Sequence, residues 1–199
     1  MTLLINSPEG SGNSFAKAAL YNVGCSTPVK HNYQLLKAGG NNIFILRNPY
    51  DCILSAMELP FLNDRSKLRD FNIDNPLTDQ EINRHIKQYL DYLGNYNDEK
   101  VYAATFEFLT NSPKKFVKNV ALKFDIKIDK NKLNLITEES VIKTLINKNP
   151  NRAPFRNDNP RKKIDLRNQI KGHLFEDKRM EYLFLIYLEH KNKLQSTEI

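Results

Sequence analysis

Hydrophobic positions along this chain follow two rhythms that alternate. Leu3-Leu4-Ile5 and Ile43-Phe44-Ile45-Leu46 are short unbroken apolar runs closed by polar turn residues, the pattern of strands buried on both faces. They predict strands over residues 2–6 and 42–46, with a third over 100–105 and a short extended piece over 28–31. Between them the spacing changes to about 3.6 residues. A helix is predicted over 13–21 with Phe15, Ala18 and Ala19 inward, and another over 78–93 with Ile82, Ile86, Tyr89, Leu90 and Leu93 inward. Ser112-Pro113 opens a helix carrying Phe116, Val117, Val120, Ala121 and Phe124. A last helix over 175–191 would bury Met180, Leu183, Phe184, Tyr187 and Leu188. Residues 149–163, rich in Asn, Pro and Arg, read as a long loop. Strands alternating with helices predict an α/β fold, a central parallel sheet between two helical layers. No repeat or linker divides residues 1–199, so one domain is expected.

Two of the strand ends carry unusual turn chemistry. After the strand over 2–6 comes Ser7-Pro8-Glu9-Gly10-Ser11-Gly12-Asn13-Ser14-Phe15; after the strand over 42–46 comes Arg47-Asn48-Pro49-Tyr50-Asp51-Cys52-Ile53-Leu54-Ser55. In the second, Asn48 suits an N-cap and Pro49 the first helical position. Each segment reads as strand, sharp turn and helix start. That geometry aims backbone N–H groups and a helix dipole at one point, where an anion would sit. In a parallel sheet both turns lie on the same edge. Two anion sites side by side predict a ligand with two separated phosphates.

Composition narrows the partners. The 199 residues carry a net charge of +7, which favours anionic ligands, yet the basic residues are dispersed and no zinc-finger or aromatic RNA-binding signature accompanies them. A nucleic-acid partner is therefore disfavoured. No apolar stretch approaches the roughly 20 residues that span a bilayer, and the first residues lack a signal-peptide pattern, so no membrane partner and a cytoplasmic location are expected. Cys25 and Cys52 read as reduced thiols with no metal-ligand spacing.

The motifs then resemble a known family. Ser11-Gly12-Asn13-Ser14-Phe15 is similar to the Gly-containing loop of the sulfotransferases that use 3′-phosphoadenosine 5′-phosphosulfate (PAPS). Arg47-Asn48-Pro49-Tyr50-Asp51 followed by Ser55 resembles that family's 3′-phosphate segment, the most specific of the matches. Val29-Lys30-His31 resembles the strand end that carries the general base, and Thr105-Phe106-Glu107-Phe108-Leu109 a segment beside the nucleotide. The matches run in family order over residues 3–124. The resemblance implies a P-loop NTPase-like sulfotransferase fold, with PAPS as donor, adenosine 3′,5′-bisphosphate as product and no metal. The acceptor would bear a hydroxyl or amine, on a small molecule, glycan or peptide.

It also implies roles. Gly10, Ser11, Gly12, Asn13 and Ser14 would cradle the 5′-phosphosulfate, and Arg47 and Ser55 would hold the 3′-phosphate, with Phe106 near the nucleotide. His31 would take the acceptor proton and Lys30 would meet the leaving group, with Lys17 a rival. Arg161 and Lys162 would stand in for the C-terminal cofactor clamp, with Arg152 and Arg156 as rivals. Acceptor-binding loops are expected at residues 59–76 and 149–163. The chain departs from the pattern in four places: Gly10, preceded by Glu9, occupies the position of a frequent loop lysine, Phe106 replaces a tyrosine, the Val29-Lys30-His31 strand end is one residue shorter, and the C-terminal part has no clean Arg-Lys-Gly clamp. Taken singly, each residue also has a structural role open to it: Ser11 and Ser14 as helix caps, Arg47 paired with Asp51, His31 as a structural histidine. Two other classes compete. A P-loop nucleoside or nucleotide kinase would share the first strand–loop–helix, but Asn13 stands where its lysine belongs. A non-catalytic basic module that binds nucleotide or nucleic acid would account for the charge alone.

Overall fold

The computed structural model describes residues 3–37, 40–63, 76–96, 99–148 and 160–195. Four strands, β1 (Leu3–Asn6), β2 (Val29–Lys30), β3 (Asn41–Leu46) and β4 (Val101–Thr105), form one parallel sheet in the order β2-β1-β3-β4. The helices are α1 (Asn13–Asn22), α2 (Gln34–Lys37), α3 (Pro49–Asn63), α4 (Pro76–Leu93), α5 (Phe106–Asn111), α6 (Pro113–Lys123), α7 (Lys130–Asn134), α8 (Glu138–Lys148), α9 (Pro160–Glu176) and α10 (Lys178–Gln195). All of β3 is buried, and its alternating side chains feed two cores. Phe44 and Leu46 pack with α3, α4, α9 and α10, whereas Ile43 and Ile45 pack with α1, α6 and α8. The predicted α/β sandwich, with a parallel sheet flanked by helices, is the architecture observed. Among the described residues, no helix is long and apolar enough to cross a membrane.

The predicted strands and the helices at 13–21, 78–93 and after Ser112 all form, with ends shifted by a residue or two. The C-terminal third differs. Residues 160–163, expected in a loop, begin α9 with Pro160 at its first position; residues 149–159 lie outside the described residues. The single helix expected over 175–191 is two helices. Asp177 breaks it, because its carboxylate accepts the Arg179 N–H at 2.9 Å and its carbonyl accepts the Met180 N–H at 2.9 Å. Phe175 therefore falls in the last turn of α9, while Met180, Leu183 and Tyr187 are buried from α10 and Leu188 lies at 36% exposure.

The sheet face beneath α1 depends on Phe116, fully buried on α6 with its ring edge-on to Tyr102 of β4 at 5.8 Å between centres. Phe116→Ala is expected to cost about 3–5 kcal/mol. Leu122→Ala, at a position 72% exposed, should stay within about 0.5 kcal/mol. Urea denaturation of the two variants measures both.

Candidate functional site

The loop after β1 is built against β3 and α3. The Ser7 hydroxyl accepts the Ile45 N–H at 2.7 Å, which ties the loop's first residue to the neighbouring strand. Gly10 and Gly12 then take left-handed backbone angles, with φ of +80° and +91°. A Cβ on Gly10 would stand 2.0 Å from the Cys52 carbonyl oxygen, and one on Gly12 would stand 2.5 Å from the Phe106 ring. Both positions thus require glycine for space as well as for conformation. Cys52, in the first turn of α3, donates its S–H to the Glu9 carbonyl at 3.0 Å. With that hydrogen used, the Ser11 hydroxyl must donate to Cys52 Sγ across 3.2 Å.

This arrangement leaves an open anion cradle. Gly12 is the N-cap of α1 and supplies no side-chain cap. The N–H groups of Gly12, Asn13 and Ser14 have no partner among the described residues. Ser14 is exposed on the first turn, whereas the Ser11 side chain is wholly buried and turned toward Cys52. Ser11 therefore offers its hydroxyl to the protein and not to the cradle. The Asn13 amide also turns inward, donating to the carbonyls of Ser7 at 3.3 Å and Pro8 at 3.2 Å, which closes the loop on itself.

Arg47, at the end of β3, points back over that loop. Its Nη1 donates to the Gly10 carbonyl at 2.7 Å, and its guanidinium lies 4.4 Å from the centre of the Phe106 ring. Phe106 opens α5 directly after β4, where the Thr105 hydroxyl caps the helix by accepting the Phe108 N–H at 3.1 Å. One ring thereby covers Gly12 and stacks on Arg47, a packing task that needs no hydroxyl. The Tyr89 hydroxyl donates to the Arg47 carbonyl from α4. Arg47 makes no ion pair with Asp51 among the described residues, and its Nε is buried without a hydrogen-bond partner. Asn48 caps α3 by accepting the Tyr50 N–H at 3.0 Å, with Pro49 at the first helical position as predicted. Ser55 is half-buried two turns beyond Asn48 on α3.

His31 reaches the loop from the end of β2. Its Nδ1 stands 2.9 Å from the Ser7 carbonyl and 3.5 Å from the Asn13 amide nitrogen. Lys30 pairs with Asn6 in the sheet and is exposed, and its side chain makes no hydrogen bond or ion pair with the loop among the described residues; Lys17 is exposed on α1. Arg161 and Lys162 fall on the first turn of α9, but their side chains lie outside the described residues, as do Arg152 and Arg156. Of the residues predicted for the site, the loop, Arg47, Phe106 and His31 therefore converge. A cleft of about 410 Å³ adjoins the Arg47–Asn48 turn, walled by Tyr50, Phe175, Phe184 and Lys171, with the Tyr50 and Phe175 rings stacked at 4.9 Å.

Sequence reasoning placed Ser7 and Cys52 within the two segments but gave neither a role, and passed over Asn6, whose side-chain amide oxygen accepts the Asn32 N–H beside His31. The serine could have been suspected as the residue between strand and glycine loop; nothing near Cys52 in the sequence points to its contact with Glu9 and Ser11. Comparison with known proteins finds no protein-family model and no curated protein sequence that matches the chain.

Two consequences can be measured. Gly12→Ala should destabilise the protein less in a Phe106→Ala background, where the ring is gone and only the backbone strain remains. Gly10→Ala should not be relieved this way, since its obstacle is a main-chain carbonyl; a thermal-denaturation double-mutant cycle separates them. Burial pushes the Cys52 thiol from 9.0 up to about 11, with the Ser11 hydrogen bond and Arg47 working against the rise. The folded protein then keeps a proton that the unfolded chain releases, so this contribution is complete below pH 9.0 and is lost as pH climbs toward 11. Denaturation curves recorded across that interval should show falling stability, and Cys52→Ala should reduce the slope.

Proposed function

We propose that the chain is a compact sulfotransferase that moves the sulfuryl group of PAPS to a hydroxyl or amine, in a P-loop NTPase-like sulfotransferase fold. The observation that carries this reading is the convergence of the glycine loop, Arg47 and His31 at the C-terminal ends of β1, β3 and β2. A doubly phosphorylated nucleotide suits this edge for physical reasons. The uncapped N–H groups of Gly12, Asn13 and Ser14 present positive dipoles to one phosphate. Arg47, with an unsatisfied Nε and a guanidinium over the Phe106 ring, offers donors to a second. Ser55 adds a hydroxyl on α3, the helix that follows Arg47, and the aromatic cleft beside Asn48 gives room for the flat part of a ligand.

When bound, the donor supplies a sulfuryl group already attached to a phosphate leaving group. The protein's part is positioning and charge. The cradle N–H groups meet the charge that grows on the leaving oxygen, and His31 accepts the acceptor's proton. Nothing in the geometry ties Lys30 to the loop, and the reading does not rest on it. The inward turn of the Asn13 amide also speaks against a kinase, which needs a cation at that position to reach the phosphates. Two free thiols, Cys25 half-buried and Cys52 buried, accord with a cytoplasmic enzyme.

Calorimetric titration tests the proposal. The protein should bind adenosine 3′,5′-bisphosphate in preference to 5′-AMP and ATP, and Arg47→Ala should weaken that binding by about 10–100-fold, the worth of a charged hydrogen bond. Equal binding of all three nucleotides would overturn the proposal. Magnesium-dependent preference for ATP would favour a kinase, and salt-sensitive binding of RNA or DNA would favour a basic module.

A further inference from the structure

His31 sits just past a two-residue edge strand and is exposed, a poor platform for a group that must hold a proton acceptor still. Its neighbour Asn32 is nonetheless fastened at both backbone polar groups. Asn6, the last residue of β1 and wholly buried, accepts the Asn32 N–H on Oδ1 at 3.2 Å and donates from Nδ2 to the Asn32 carbonyl at 2.9 Å. One side-chain amide thus pairs with the N–H and the C=O of a single residue and extends the sheet past the end of β2. The Asn6 amide is itself fixed. Tyr92, fully buried on α4, donates its hydroxyl to Oδ1 at 2.8 Å, and the side-chain oxygen of Asn42 accepts from Nδ2 at 3.4 Å. Asn42 is anchored in turn to the carbonyls of Leu35 at 3.1 Å and Gly40 at 2.7 Å.

The position so imposed also decides the tautomer of His31. Nδ1 lies 2.9 Å from the Ser7 carbonyl, which can only accept, so Nδ1 carries a hydrogen. The Asn13 amide at 3.5 Å cannot supply one, because its two hydrogens go to Ser7 and Pro8. In the neutral ring Nε2 is then an unprotonated acceptor with no partner among the described residues.

We infer that Asn6 is the positioning residue of the site: by clamping the Asn32 backbone from β1, with Tyr92 locking the clamp, it holds His31 against Ser7 as the Nδ1–H tautomer and leaves Nε2 free to take a proton. The catalytic meaning of this arrangement rests on the sulfotransferase reading; the geometry does not. A base displaced by about 1 Å loses up to about a hundredfold in rate, which is why such a clamp matters for an exposed histidine.

Long-range 1H–15N NMR of the imidazoles at pH 8, assigned with His31→Asn, reads the tautomer directly. Wild-type protein should show His31 as Nδ1–H. Asn6→Ala should lose that single tautomer, and Tyr92→Phe, which leaves Asn6 in place but unlocked, should shift it part of the way. Calorimetry of the wild-type protein with adenosine 3′,5′-bisphosphate tests the sulfotransferase reading separately. An Nε2–H tautomer in wild type overturns the inference even if neither variant folds, and so does an Nδ1–H signal unchanged in a folded Asn6→Ala. Failure of wild type to bind the bisphosphate would instead sink the sulfotransferase reading while the tautomer result stands separately.

Discussion

The hydrogen bond from the Ile45 amide to the Ser7 hydroxyl joins the ends of the two central strands at the point where both chains leave the sheet. Most of the distinctive features of this protein depend on that junction. With Ser7 held, the next residues must turn over α3, and the close approach to the Cys52 carbonyl leaves room only for glycine at position 10. The same closeness brings Cys52 to Glu9 and Ser11, so the loop is pinned from below by a thiol rather than by a charged group. A buried thiol that stays protonated suits this role, since it adds no charge to a place already rich in N–H dipoles.

Arg47 is the second consequence. A guanidinium at the end of β3 could have been spent on Asp51 in the adjoining helix, and the two are close in sequence. Instead Gly10 and Phe106 hold it over the loop, and Tyr89 holds its main chain from α4. The ring of Phe106 fills the space above Gly12 and gives the cation a face to rest on. Carbonyl and aromatic partners neutralise Arg47 less than a carboxylate would, and its charge remains available to an anion.

The amide network around Asn6 shows how a short edge strand is made to carry a well-placed group. β2 has two residues and two ladder partners, too few to fix the backbone of His31 and Asn32 beyond its end. The buried amides of Asn6 and Asn42 extend the pairing by side-chain bonds, and every polar end of Asn6 is used. Satisfied networks of this kind are rigid because any displacement strands a buried donor or acceptor. Through Tyr92 and Asn6, α4 thereby supports the backbone beside the histidine.

Local pattern was enough for much of the fold: the apolar runs of β1 and β3, the Asn48-Pro49 start of α3 and the spacing in α1, α4 and α6 are all short-range signals. It failed at α9, whose opening Pro-Arg-Lys-Lys stretch lacks an apolar rhythm, and at Asp177, where a capping carboxylate outweighed continuous helical spacing. It passed over α7, which buries no side chain fully, and α8, which buries Val141. In the site, residue types at strand ends announced the glycine loop, Arg47 and His31. The inward turn of Ser11, the anchoring by Cys52 and the clamp by Asn6 could not be read, because they join residues 41 and 26 positions apart through contacts that exist only once the sheet has formed. Sequence by itself determined β1, β3, α1, α3, α4 and α6 and which groups stand at their ends, since these depend on neighbours within a turn or two. Tertiary structure alone decided which of those groups face an open cradle and which are consumed in building it, since that depends on how closely β1, β3 and α3 approach one another.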